Sequence, residues 1–205
     1  MRRTMILSAF VLAFTSVLGM PTLATAQETS DNATRVVQVL GEQTVAAAKV
    51  EDKDARRKLL AEAATPAVDF KTIGAGVLAH TGIKVPTGME AEVMDGVINY
   101  VAGQIITEIE RVRPEQAKLG ASSVKSEKEV RVGMLLAGVK DQIDADWVVK
   151  KQPEGWRVTD VMVSGHSLTA HFGGQLSRRS RGELEQLVEF LRAETKRERV
   201  AALVR

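Results

Sequence analysis

Acid–base, nucleophilic or metal chemistry in this chain would have to come from few residues: His80, His166, His171, Tyr100 and the carboxylates Asp146 and Asp160. A general acid or base has to stand within hydrogen-bond reach of its substrate inside a pocket. His166 and His171 are five residues apart, whereas paired ligands on one helix face stand at i and i+4. Asp146 has the opposite parity from Trp147 and so points away from the apolar side of its segment. The HExxH, GxSxG and phosphate-loop spacings are missing. With no cysteine there is no thiol nucleophile, no disulfide and no acylation site for a lipoprotein anchor. The expectation is a chain that is not an enzyme and holds no metal or cofactor, with its histidines on the surface or at helix ends.

Hydrophobic periodicity gives the elements that carry these residues. Spacing is helical from Asp31 to Arg113. A first helix, capped by Ser30 or Asp31, turns Val36, Val39, Leu40 and Ala47 toward one face. A second runs from Lys53 to Ala64 and is ended by Pro66. A third starts near Asp69 and carries the stripe Phe70, Ile73, Val77 and Leu78, and Thr81 to Gly88 reads as a loop. Thr87-x-x-Glu90 has capping-box spacing ahead of a long helix. That helix carries Val93, Val97, Val101, Ile105, Ile109 and Val112, widened by Met94, Ile98 and Ala102, and stops at Pro114.

After Leu119 the period falls to two. A weaker strand covers Ala121 to Ser126; Val130, Val132, Met134 and Leu136 alternate, and so do Ile143, Ala145, Trp147 and Val149. Turns fall near Gly138 to Asp141 and at Gln152-Pro153-Glu154-Gly155, where Pro occupies i+1 and Gly i+3. The strand from Trp156 to Ser164 splits its apolar residues, with Val158 and Met162 on one parity and Val161 and Val163 on the other. That pattern fits a strand covered on both faces or one with a bulge. Helical spacing returns at Leu168, Phe172 and Leu176, then at Leu184, Leu187, Val188 and Leu191, with Ser180-x-x-Glu183 as a second capping box. The predicted fold class is α+β, a twisted antiparallel sheet of about four strands packed against several helices.

At the N-terminus Arg2 and Arg3 precede an apolar run from Met5 to Leu18, and Ala24-Thr25-Ala26 is followed by Gln27. These are the parts of a signal peptide cleaved after Ala26, and the run is shorter than the ~20 residues a spanning helix needs. Residues 1–26 are therefore expected to be removed, leaving 27–205 as one exported, soluble domain. The leader carries two of the 28 basic residues and none of the 26 acidic ones, so the remainder is formally neutral. Its charges interleave, as in Glu51-Asp52-Lys53-Asp54 before Arg56-Arg57-Lys58. A nucleic-acid binder would show a basic face, so no nucleic-acid partner is expected.

The segment GWRVTDVMVSGHSL, Gly155 to Leu168, resembles the motif of the MlaC or toluene-tolerance family of periplasmic ABC-transport auxiliary proteins, where a Gly-Trp strand carries an Asp and ends in Gly before Ser-Leu. VDFKTIGAGVLA, Val68 to Ala79, is similar to that family's Asp-Phe-x-x-Ile helix, and IDADWVV to the strand before the Gly-Trp hairpin. Order and spacing agree from Arg35 to Ala193. The chain departs from the family at Ala79-His80-Thr81-Gly82, where Gly-x-x-Trp is usual, at His171-Phe172-Gly173-Gly174-Gln175, where an Arg-bearing stretch is usual, and in the loop Thr81 to Gly88.

The resemblance implies a periplasmic carrier, working as a monomer, with a deep apolar cavity for phospholipid acyl chains and a part in outer-membrane lipid asymmetry. Its implied partners are an inner-membrane ABC transporter with an MCE-type subunit and an outer-membrane lipoprotein complex. The cavity would be lined by apolar residues that do not fill the space between sheet and helices: Phe70, Ile73, Val77, Val97, Val101, Met134, Leu136, Trp147 and Val158. Each is equally suited to an ordinary core. Trp156 reads as a packing residue beside its turn, and Asp160 as a local hydrogen-bond acceptor. A polycyclic, hopanoid-like cargo is an alternative. So is a cargo-free adaptor docking through Lys196-Arg197-Glu198-Arg199.

Overall fold

The computed structural model describes residues 23–197, with side chains from 27 to 196. Apart from the two-residue β5, which the sequence reading did not include, the elements follow the order that the periodicity predicts: α1 (Leu23–Ala48), α2 (Lys53–Ala67), α3 (Phe70–Thr81), α4 (Glu90–Val112), β1 (Gln116–Ser126), β2 (Glu129–Ala137), β3 (Gln142–Gln152), β4 (Gly155–Val163), β5 (His166–Ser167), α5 (Leu168–Ser180) and α6 (Leu184–Arg197). Residues 1–22 of the expected leader lie outside the described residues.

Helix ends depart most from the sequence reading. α1 is continuous through Ser30 and Asp31, so neither caps it; the Asp31 carboxylate instead accepts from Gln27 Nε2 at 2.8 Å, one turn back. Its buried face is Ala33, Val37, Leu40, Thr44 and Ala47, while Val39 is exposed. α2 runs past Ala64 to Ala67 with Pro66 inside its last turn, and Val68 N–H still reaches Ala64 O at 2.8 Å. A proline removes only its own donor, and one turn from the end little helix is left to break. Thr87 does not cap α4: the helix starts at Glu90, whose carboxylate folds back onto Gly88 N–H at 2.6 Å. Ser180 ends α5 with its hydroxyl on Leu176 O at 2.8 Å and is fully buried, so the second capping box does not form either.

The strands form one antiparallel sheet in sequence order, β1-β2-β3-β4-β5. Along β2, Val130, Val132, Met134 and Leu136 are buried and the residues between them partly covered, as alternation predicts. In β3, Ala145, Trp147 and Val149 share that inner face. The split parity of β4 comes from a bulge. Val148 pairs with Asp160 but Val149 pairs with Val158, so Thr159 is an extra residue. It shifts the parity by one, bringing Val161 onto the face that holds Val158. β1 extends back to Gln116 and is exposed almost throughout; Lys118, Lys125 and an irregular register between Leu119 and Ser122 suit an edge strand.

α1 lies across the sheet and touches β1 through β4, with Gly41 so close that a Cβ there would fall 2.6 Å from Met134 Sδ. α2 is tied to α4 by Glu110, which accepts from Arg56 at 3.2 Å and from Arg57 at 2.7 Å. Arg56 also donates to Val50 O and Glu51 O, just beyond the end of α1. α3 and α5 pack backbone to backbone: a Cβ on Gly173 would meet Val77 O at 2.7 Å and collide with His80 Cβ. Gly173→Ala is expected to lower stability by about 1–3 kcal/mol in urea unfolding, because the obstacle is backbone and cannot rotate away. Gly41→Ala, whose Cβ would meet the flexible end of Met134 at 2.6 Å and Ala117 Cβ at 3.0 Å but no backbone, should lose less.

Candidate functional site

The residues expected to line an apolar site converge from five elements. Phe70, Ile73 and Val77 come from α3, Val97 and Val101 from α4, Met134 and Leu136 from β2, Trp147 from β3 and Val158 from β4, and all are buried in one apolar cluster. The sequence reading omitted others of that cluster: Val37, Ile106, Val130, Val132, Val149 and Val161. Val130, Val132 and Val149 were visible in the strand alternation, whereas Val161 depends on the bulge. Open grooves lie elsewhere among the described residues. One, of about 340 Å³, runs between α4 and α6 over Val93, Gly96, Val188 and Leu191. Another, of about 410 Å³, follows the outer face of α1 past Asp31, Arg35 and Glu42.

The two sequence segments that carry the family resemblance meet at this cluster. Val68 forms a parallel bridge with Val158, and Asp69 N–H donates to Val158 O at 2.8 Å. The Asp69 carboxylate caps α3 through Thr72 N–H at 2.9 Å and takes the Thr72 hydroxyl at 2.6 Å, which aims Phe70 inward. Asp160 plays the same part for α5. It accepts from Val161 N–H (2.8 Å), the Ser167 hydroxyl (2.5 Å), Thr169 N–H (3.1 Å) and the Thr169 hydroxyl (2.8 Å). Ser167 in turn accepts Ala170 N–H at 3.1 Å as the N-cap. Ser164 and Gly165 have positive φ, 51° and 78°, in the turn that brings Ser167 back to Asp160.

Of the acid–base candidates only Tyr100 and His171 are brought together, through Gln175. Asp146 is exposed on the outer face of β3, His80 Nδ1 bonds Gly76 O at 2.8 Å, and His166 Nδ1 bonds Ser164 O at 2.9 Å. Tyr100 is buried and donates to Gln175 Oε1 at 2.7 Å, and Gln175 Nε2 meets His171 Nε2 at 2.7 Å. Its ring stands edge-on to Phe172 and Phe190, joining α4, α5 and α6. No cluster of three or more potential metal ligands occurs among the described residues. Nor is any helix among them long and apolar enough to cross a membrane. Trp156 packs partly buried against the core, and Glu198 and Arg199 of the expected docking stretch lie outside the described residues.

The family model described as MlaC protein matches residues 30–193. The chain belongs to the MlaC family. Among curated proteins no relative matches the sequence. A solved structure with the same fold is a phospholipid-binding protein from Ralstonia solanacearum, in complex with a phospholipid. It is 20% identical over 82% of this chain and 99% of that one, with a TM-score of 0.63. The MlaC motif residues therefore have structural roles here: Asp69 and Asp160 pin two helices to one strand.

Asp160→Ala leaves the donors of Ser167, Thr169 and Val161 to find other partners and should lower stability by about 2–4 kcal/mol in chemical denaturation. Asp160→Asn, which keeps one acceptor oxygen, should recover part of that loss. Burial raises the Tyr100 phenol above its usual 10.0, with Arg179 opposing and Glu194 adding to the shift. The native state then holds this proton more tightly than the unfolded chain. The stability this confers is complete below about pH 10 and is lost as the pH climbs from there through the folded value. Thermal melts at rising alkaline pH should show that loss in the wild type, and a smaller one in Tyr100→Phe.

Proposed function

We propose that residues 27–205, after removal of a signal peptide, act as a periplasmic phospholipid carrier and not as an enzyme. In this reading acyl chains enter between the inner face of the sheet and the helices over it. Phe70, Ile73, Val77, Val97, Val101, Met134, Leu136, Trp147 and Val158 then change partners from one another to lipid. Membership of the MlaC family over residues 30–193 carries the proposal. It is supported by the phospholipid named with the Ralstonia solanacearum structure, which has the same fold. The convergence of these residues in one cluster agrees with it.

Energetics allow the transfer to run in either direction. Taking an acyl chain out of water is worth ~0.8 kcal/mol per methylene, but the chain comes from a bilayer. Moving it from bilayer to apolar protein exchanges one hydrocarbon-like environment for another, and parting the helices gives up apolar contact that the lipid restores. Near-balance of this kind suits a shuttle between an outer-membrane lipoprotein complex and an inner-membrane ABC transporter with an MCE-type subunit, the partners we assign to it.

Mass spectrometry of a solvent extract tests the cargo, using protein secreted to a Gram-negative periplasm and purified without detergent. Stoichiometric phospholipid is expected. A polycyclic lipid would keep the carrier and change its cargo, and a lipid-free protein that also takes up none from vesicles would overturn the reading in favour of an adaptor.

A further inference from the structure

One polar atom on the inner face of the sheet has nothing to bond. Trp147 is only 8% exposed, and its indole Nε1–H has no hydrogen-bond partner. Two other buried nitrogens share that condition among the described residues, Arg56 Nε and Arg131 Nε. Neither belongs to the inner face. The other Arg56 nitrogens are held by Val50 O, Glu51 O and Glu110, and Arg131 alternates with the inner-face residues Val130 and Val132. Trp147 is paired in register with Val132 on one side and Val161 on the other. Apolar neighbours of this kind offer an N–H no acceptor. A buried donor without a partner is destabilising, and phenylalanine would supply a similar ring without it.

We propose that the Trp147 indole N–H donates a hydrogen bond to an acyl ester carbonyl of the bound lipid. The assignment rests on the carrier reading above and adds the atom that fixes how deep the cargo sits. Acyl chains carry no acceptor, and a charged phosphodiester is too costly to draw into an apolar interior. The ester carbonyls, where the chains join glycerol, are neutral acceptors and enter with the chains. A donor at that level favours ester-linked lipids over ether-linked ones and over polycyclic hydrocarbons, since a site built to hydrogen-bond its ligand discriminates against an analogue lacking the partner atom.

The test is competition between diacyl phosphatidylglycerol and its dialkyl ether analogue, matched in headgroup and chain length, for delipidated protein, read by native mass spectrometry. Wild type should prefer the diacyl lipid by about fivefold to tenfold, the worth of one neutral hydrogen bond. Trp147→Phe should bind the two equally; the ratio is the readout, because the smaller ring also changes absolute affinity. Trp156→Phe leaves Trp147 as the only indole, and its emission should shift with the diacyl lipid more than with the dialkyl one. Equal binding of both lipids by wild type, or a preference surviving in Trp147→Phe, overturns the assignment. If Trp147→Phe does not fold, the wild-type ratio and the Trp156→Phe emission decide. If wild type binds neither lipid, the carrier reading fails along with it.

Discussion

The carboxylate of Asp160 holds the architecture in register. It stands directly after the β4 bulge and accepts four donors, from Val161, Ser167 and both polar groups of Thr169. Hydrogen bonds to a charged acceptor are short and directional, whereas apolar contact has no preferred angle. One side chain thereby sets where β4 ends, how the chain turns through Ser164 and Gly165, and where α5 begins. The position of α5 then fixes that of α3, since Gly173 lies against Val77 O and Gly76 against the Thr169 methyl.

A second polar pin acts from the other side of the bulge. Val158 O receives Asp69 N–H at the start of α3, so both helices take their position from residues flanking Thr159 on a single strand. The bulge also turns Val158 and Val161 onto one face, keeping the inner surface of the sheet apolar on either side of it. The Asp69 and Asp160 bonds gather at the margin of the layer, and the interior between α1, α4 and the sheet is mostly apolar, with Thr44 and the indole of Trp147 among its buried polar groups.

That division suits the function proposed for the family member described here. An interior held by directional hydrogen bonds would lose them on admitting a guest, whereas one held by non-directional contact can exchange protein neighbours for hydrocarbon. Under that proposal the packed cluster and a lipid-filled site would be two arrangements of the same residues. Helix starts pinned by Asp69 and Asp160 would then keep the frame intact in both.

The type and order of the helices and of the four longer strands, and the inner face of β2 and β3, were determined by sequence alone. These depend on period and residue type, which are local. The motif around Gly155 to Leu168 was equally readable, although its reason was not: nothing in the spacing says that Asp160 and Ser167 bond each other across the turn. Helix ends were misread at Asp31, Thr87 and Ser180, where competing local partners won: Asp31 accepts from Gln27 inside a helix that runs on through it, Gly88 N–H goes to the Glu90 carboxylate, and Ser180 bonds Leu176 O within α5. The choice of Thr159 as the extra residue, the burial of Val37 over Val39 and the isolation of the Trp147 N–H belong to the tertiary structure. Each depends on which groups distant in the chain lie within about 3 Å of one another, the reach of a hydrogen bond, and periodicity carries no information about that.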